Sequence, residues 1–304
     1  MTSLPLSTDT GLSRRRMLLG AGLTAGALLG ALPGASRAAA APAARSGKAS
    51  VYDVVVAAGS VTAPAKVPAG PVSFRVSTPT EGGMGLPLVQ LRVPIDKYLD
   101  DLTTMTNAPT PDEAAAAAAV VESEAVNLGG AAVQPGIDAV FTQILWPGTY
   151  YFIAYDFDSS ERPVAHRLTV EGVGRGEPPV PVDVIRHTPS GFWVSGGGQL
   201  HANGTHLCVN DSGVLNEAVL LPVRPGTTAA EVDAFFAALR DGTPPPSYPI
   251  IGGAAGSPPL SPGRSARVGL PLRPGGYVLS SWITSTTTGR PRAFDGFYKL
   301  VTLA

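Results

Sequence analysis

Histidines, a lone cysteine and clustered carboxylates are the side chains here with chemistry to offer. The histidines are His166, His187, His201 and His206. His201 and His206 flank the turn Ala202-Asn203-Gly204-Thr205, which can bring two imidazoles together. Two imidazoles make half of a zinc site, no third ligand is evident, and ordinary surface or strand histidines are expected. His166 precedes Arg167-Leu168-Thr169-Val170 and reads as a strand residue. Cys208 is the single cysteine, so no internal disulfide can form and packing must hold the fold. Its setting, Thr205-His206-Leu207-Cys208-Val209, is that of a buried, inert strand thiol. Asp156-Phe157-Asp158-Ser159-Ser160-Glu161 sets oxygen ligands at alternating positions, as a calcium loop does. It lacks the glycine and the final glutamate of an EF-hand, so a solvated acidic turn is expected. Gly196-Gly197-Gly198 has no helix start behind it and reads as a bulge or turn rather than a phosphate cradle. Glu122 and Glu124, two apart on a helix, cannot face each other. There is no Gly-x-Ser-x-Gly elbow, His-Glu-x-x-His pair, Walker loop or dinucleotide fingerprint. No catalytic, cofactor-binding or metal-ligating residue is assigned, and enzymatic activity is not expected.

The elements that must position these residues are foreshadowed by composition. Of 304 residues, 36 are Gly and 30 are Pro, and only 15% are charged. Dense Gly and Pro argue against a helical bundle, and the apolar content argues against wholesale disorder. A formal net charge of −1 gives no electrostatic footprint for nucleic acid. A loop-rich, mainly β protein is expected. Its first forty residues read as an address. Ser13-Arg14-Arg15-Arg16 precedes the apolar stretch Met17–Leu32, the pattern of a twin-arginine export signal, and Ala38-Ala39-Ala40 suits cleavage after Ala40. The stretch is too short and too weakly apolar for a transmembrane span. The mature chain would lose Arg14, Arg15, Arg16, Arg37 and Asp9 and carry a net charge of −4. It would be extracellular or in the cell envelope, with no transmembrane span.

The mature chain contains its own pattern twice. Gln134-Pro135-Gly136 and Leu145-Trp146-Pro147-Gly148-Thr149-Tyr150 recur as Ser261-Pro262-Gly263 and Leu272-Arg273-Pro274-Gly275-Gly276-Tyr277, at a constant offset of 127. Each block is a Pro-Gly turn, a strand, a second Pro-Gly turn and an aromatic-led strand. Upstream, Pro68–Val76 parallels His201–Val209 at an offset of 133, and Val89–Val93 parallels Val219–Val223 at 130. This places domain 1 at 48–173, a Gly/Pro linker at 174–181 and domain 2 at 182–304. Each half has a short helix after its middle strands. In domain 2, Thr228 and Glu231 form a capping box, Val232, Phe235, Phe236 and Leu239 form one stripe, and Gly242 ends it. In domain 1, Ile95, Tyr98, Leu99 and Leu102 share that spacing. A second helix, 111–128, has Thr110 as N-cap and ends at Gly129-Gly130. It is an insertion without a counterpart in domain 2.

The strand Val72–Val76 or Thr205–Val209, the short helix, the Pro-Gly-x-Tyr strand and a closing strand together resemble the cupredoxin-like family. The resemblance covers most of 52–303. It implies two tandem Greek-key β-sandwich domains with short helical insertions. Gly275-Gly276-Tyr277-Val278-Leu279-Ser280-Ser281-Trp282, a loop, and Gly296-Phe297-Tyr298-Lys299-Leu300-Val301 look like that family's copper-loop hairpin. Blue copper needs two imidazoles, a thiolate and often a thioether. By the family's pattern the cysteine position is Ser281 in domain 2 and Ala154 in domain 1. The thioether position is Phe297, the loop imidazole falls near Arg292, and the upstream imidazole near Asn216. The resemblance therefore implies the scaffold without copper or other cofactor. The expected function is a non-enzymatic exported binding or structural protein with a protein or cell-envelope partner. Trp146, Trp282, Phe294, Phe297 and Tyr298 are candidate anchors, with a core role expected for most of them. The alternative is an exported metal-binding or redox protein with a non-standard site.

Overall fold

The computed structural model describes residues 47–304, apart from Asp158 and Ser160, so the expected export signal lies outside the described residues. The first half runs β1 (Ser50–Ala57), β2 (Ser60–Thr62), β3 (Lys66–Pro68), β4 (Gly70–Ser77), β5 (Met84–Leu91), α1 (Ile95–Thr106), α2 (Pro111–Glu124), β6 (Ala125–Val133), β7 (Ala139–Leu145), β8 (Gly148–Asp156) and β9 (Val164–Glu171). The second runs β10 (Asp183–Thr188), β11 (Gly191–Val194), β12 (Gln199–Leu200), β13 (Asn203–Asn210), β14 (Asn216–Pro222), α3 (Ala229–Asp241), β15 (Ala255–Leu260), β16 (Ser265–Pro271), β17 (Gly275–Ser280) and β18 (Tyr298–Leu303). The fold is mainly β, with two sheets packed as a sandwich.

Each sheet runs through both halves. The eight-stranded sheet has the order β11-β10-β13-β16-β7-β4-β1-β2, and the ten-stranded sheet β12-β18-β17-β14-β15-β6-β5-β8-β9-β3. Read outward from the middle, the two sides present corresponding strands in the same order, so a local two-fold relates the halves. The seam is made by β7 against β16 in one sheet and β6 against β15 in the other, both antiparallel. Residues 174–181 do not hold the halves apart. They lie along the first half, where the Gly174 amide donates to the Ala69 carbonyl at 2.5 Å and the Ala49 amide to that of Glu177 at 3.1 Å.

The 127-residue offset has a structural basis. The Tyr150 hydroxyl donates to the Trp146 carbonyl at 2.9 Å, and that of Tyr277 to the Arg273 carbonyl at 3.0 Å. Each ring thus pins the turn that precedes its own strand. The upstream offsets of 133 and 130 are corrected to a single value. A Cβ on Gly130 would collide with the Leu86 carbonyl and Pro87, and one on Gly256 with the Ala218 carbonyl and Val219, so Leu86 matches Ala218 at an offset of 132. On β4 the same offset matches Phe74 with His206, both buried and facing inward. The expected 133 matched Phe74 with Leu207, which faces the other way, because side chains alternate along a strand.

Helices α1 and α3 occupy corresponding places, and α2 is extra. α3 carries the full Thr228/Glu231 capping box and ends on Gly242. Thr110 caps α2 by accepting from the Glu113 amide. The expected extension of α2 to Leu128 is wrong: the helix stops at Glu124, and Ala125 is already extended. Residues 125–128 are needed as sheet, pairing with β5 on one side and β15 on the other. Gly129 and Gly130 are therefore not a helix stop. Gly130 is where another strand's backbone comes too close for a side chain. α1 and α2 cover one outer patch of the ten-stranded sheet, burying Tyr98, Leu102, Ala118 and Val121 on Val89 and Ile153. α3 covers the corresponding patch, with Phe235 and Phe236 on Leu221 and Val278. Between the sheets the core includes Phe74, Phe141 and Phe152, whose rings pack 5.1 to 6.2 Å apart.

Gly256→Ala sets a methyl against a backbone carbonyl, a strain with no flexible neighbour to absorb it, and is expected to cost more than about 2 kcal/mol. Because the sheets are continuous, calorimetry should show one transition moved down as a whole. A separate low-temperature transition for the second half would contradict this.

Candidate functional site

The positions that the cupredoxin-like resemblance marks in the second half lie around the 281–297 loop joining β17 to β18. Backbone bonds fold this loop back on itself. The Ser281 amide donates to the Phe297 carbonyl at 3.0 Å, and the Ala293 amide to that of Ser281 at 2.6 Å. The Arg292 amide donates to the Ile283 carbonyl at 2.9 Å, and the Phe297 amide to that of Arg292 at 3.1 Å. Ser281, Arg292 and Phe297 thus sit together. The Arg292 guanidinium lies 5.1 Å from the Phe297 ring centroid, within cation–π range. Arg292 is only 7% exposed. Burial lowers its pKa, opposed by the charges of Glu122 and Asp295. Glu122 belongs to α2, so the first half's extra helix supplies a counter-charge to the second half's loop.

Asn216, at the start of β14, is fully buried and turned toward Ser212, whose hydroxyl oxygen accepts from Asn216 Nδ2 at 2.7 Å. Its amide oxygen has no hydrogen-bond partner among the described residues. In the first half the matching positions are Met84 and Ala154, both part of the inter-sheet core. None of Asn216, Ser281, Arg292 and Phe297 supplies an imidazole, thiolate or thioether, and one carries a fixed positive charge. This donor set does not fit copper.

Two buried titratable groups border the loop. Glu217 was not singled out in the sequence, where nothing local marks it. Its carboxylate accepts from the Trp282 amide at 2.8 Å, and its own amide donates to Ser281 Oγ at 3.4 Å. Burial pushes its pKa up to about 8, against the pull of the Trp282 amide. His187, at the end of β10, places Nδ1 3.1 Å from the Val209 carbonyl, while Nε2 is buried without a hydrogen-bond partner among the described residues. Burial pushes its pKa down to about 4, opposed by the Glu217 and Val209 carbonyls. A buried imidazole of that kind is neutral at pH 7.

His201 and His206 do have a third group between them, and it is Asp183. Its oxygens lie 3.1 Å from His201 Nδ1 and 3.2 Å from His206 Nδ1. Asp183 stands at the start of β10, nearly twenty residues upstream, which is why the neighbouring sequence did not reveal it. It also accepts from the His201 amide at 2.8 Å. The His201 bonds tie β10 to the turn before β13 and engage the carboxylate, whereas neither His206 ring nitrogen has a hydrogen-bond partner among the described residues. No group of three or more His, Cys, Asp or Glu side chains that could hold a metal ion occurs among the described residues. The acidic stretch 156–161 lies partly outside the described residues. Within it the Ser159 amide donates to the Asp156 carbonyl at 3.4 Å and the Glu161 amide to Ser159 Oγ at 3.0 Å, as in a turn. Cys208 is buried, and burial raises its pKa to about 12, as expected of an inert thiol. Of the candidate anchors, Trp146 is 75% exposed, Trp282 is buried, and Phe294, Phe297 and Tyr298 are half-buried.

The two buried groups set opposite pH limits on stability. Glu217 keeps a proton in the folded state that it releases above about pH 4.5 on unfolding, so its contribution declines as pH rises from there toward about 8. His187 stays neutral where an unfolded histidine would charge, so its contribution declines as pH falls from about 6.5 toward 4. Glu217→Gln keeps the acceptor for the Trp282 amide and removes the first titration. Its Tm should therefore gain on the parent between pH 5 and 8. Parallel Tm curves would show that Glu217 does not titrate in this way.

No family model matches the chain, and no curated protein matches it. Among solved structures, the chain is similar to auracyanin B, at 19% identity over 41% of this chain and 91% of that one, with a TM-score of 0.24. It is also similar to a reduced auracyanin from the photosynthetic bacterium Roseiflexus castenholzii, at 19% identity over 40% of this chain and 94% of that one, with a TM-score of 0.22. A multicopper oxidase aligns at 10% identity over 84% of this chain and 88% of that one, with a TM-score of 0.21.

Proposed function

We infer that this chain is an exported, non-enzymatic binding or structural protein. In this reading it is built on two cupredoxin-like halves, 48–173 and 182–304, whose metal positions have passed to packing. The observation that carries the reading is Arg292. A guanidinium buried over Phe297, its charge favoured by those of Glu122 and Asp295, occupies the loop where a metal ligand would stand. A fixed cation there opposes a second one, and the backbone hydrogen bonds of Arg292 together with its ring contact hold the loop without any ion. The neighbouring Ser281 Oγ and Asn216 Nδ2 are engaged in bonds within the fold, and the Asn216 amide oxygen alone has no partner among the described residues. Export rests on the Ser13-Arg14-Arg15-Arg16 pattern and the apolar stretch behind it. No helix among the described residues is long and apolar enough to cross a membrane.

The second reading is a metal-handling or redox exported protein with a non-standard site. The observation in its favour is the His201–Asp183–His206 trio. The carboxylate there already accepts from the His201 amide and lies beside both rings, so Asp183 and His201 act as a clamp between β10 and the turn before β13, while neither His206 ring nitrogen has a hydrogen-bond partner among the described residues. Elemental analysis separates the two readings. The mature protein, purified after growth with added copper, zinc and iron, should hold less than about a tenth of an equivalent of each. Stoichiometric metal would overturn the first reading, and its loss on His201→Ala would assign it to the trio.

A further inference from the structure

The 281–297 loop has an outer side as well as the inner one filled by Arg292. Together with α3 it borders a half-open surface pocket of about 380 Å³, lined by Phe236, Arg240, Phe294, Asp295 and Tyr298 among others. Small-molecule sites run from about 300 to 1,000 Å³. Three of the seven lining residues are aromatic and already held in place, and Phe236 among them is itself buried. The Phe236 and Tyr298 rings stack with centroids 4.2 Å apart, and Phe294 meets Trp282 edge-on at 6.2 Å. Arg290 donates to the Arg240 carbonyl at 3.0 Å, fastening the end of α3 to the loop.

The polar groups of the lining differ in what they have left to offer. The Tyr298 hydroxyl donates to Asp233 at 2.9 Å. Asp295 accepts from the Thr288 hydroxyl at 2.9 Å. Arg240 uses only Nε, on Asp241 at 2.9 Å, and its two terminal amino groups have no hydrogen-bond partner among the described residues. Its side chain is half exposed, and Asp241 and Asp295 hold it charged. A fork of unused donors beside an aromatic wall matches a flat ring with a carboxylate a few bonds away.

We propose that this cavity binds an aromatic carboxylate, with the ring on Phe294 and Tyr298 and the carboxylate on Arg240. The inference deepens the binding-protein reading and rests on it. The ligand class has two sources, a free aromatic acid or a peptide ending in Phe or Tyr. Saturation-transfer NMR on the mature protein tests both, with 3-phenylpropionate and an acetylated tripeptide ending in Phe as probes and phenethylamine as the cationic control. At least one carboxylate probe should bind saturably and more tightly than phenethylamine. Whichever binds names the source. Arg240→Gln and Phe294→Ala should each weaken that binding about tenfold or more. Arg240 lies at the surface, so its variant should keep the parent Tm. Saturable binding by neither probe, equal binding of the amine, or unchanged binding by Arg240→Gln would overturn the proposal. A metal-free protein that fails these tests overturns this inference alone, whereas stoichiometric metal overturns the reading beneath it.

Discussion

Two antiparallel strand pairings, β7 with β16 and β6 with β15, hold this molecule together. Every sheet has edges, and an unpaired edge is a row of unsatisfied amide and carbonyl groups. Each half alone would expose two such edges, one per sheet, at its most buried side. Here they satisfy each other. Side chains reinforce the seam: Gln143 Nε2 donates to the Ser265 carbonyl at 2.8 Å, Ser261 Oγ accepts from the Asn127 amide at 2.9 Å, and Gln134 Nε2 donates to the Ala254 carbonyl at 3.1 Å. All three cross from one half to the other. Asn127 and Gln143 are buried, where a lost partner would cost the full desolvation of a polar group.

Once the halves share their sheets, they also share their covering. α2 exists only in the first half, yet it reaches the second half's loop. A Cβ on Gly289 would strike the Pro111 carbonyl, and Leu215 and Ile283 join the apolar cluster beneath α1 and α2. The charge of Glu122 adds an attraction for Arg292. The inner side of the 281–297 loop is thereby closed, and the open space lies on its outer side against α3. The seam therefore decides which face of the loop meets solvent.

Sequence and structure agree where the signal is local. The Pro-Gly turns and the tyrosine after them exposed the duplication, because each tyrosine closes its own turn four residues back. The caps at Thr110 and Thr228 were readable because side chain and amide stand three residues apart. Signals that depend on distant partners were not readable. Offsets of 133 and 130 stood in for a uniform 132, since register is fixed by the opposing strand and not by residue type. Gly129-Gly130 looked like a helix stop because the strand that crowds Gly130 arrives from over forty residues away. Asp183 and Glu217 were missed for the same reason: each meets its partners only after folding. The positions Asn216, Ser281, Arg292 and Phe297 were legible as a set lacking metal ligands. What Arg292 does there was not, because its counter-charge comes from the other half.

Native-state hydrogen exchange reads the seam directly. If the pairings of β7 with β16 and β6 with β15 carry the fold, their amides should open only in global unfolding, with the same free energy in both halves. Amides of β16 or β15 that exchange through a cheaper opening, while β4 and β5 stay protected, would mean that the second half comes away by itself and that the seam does not carry the fold.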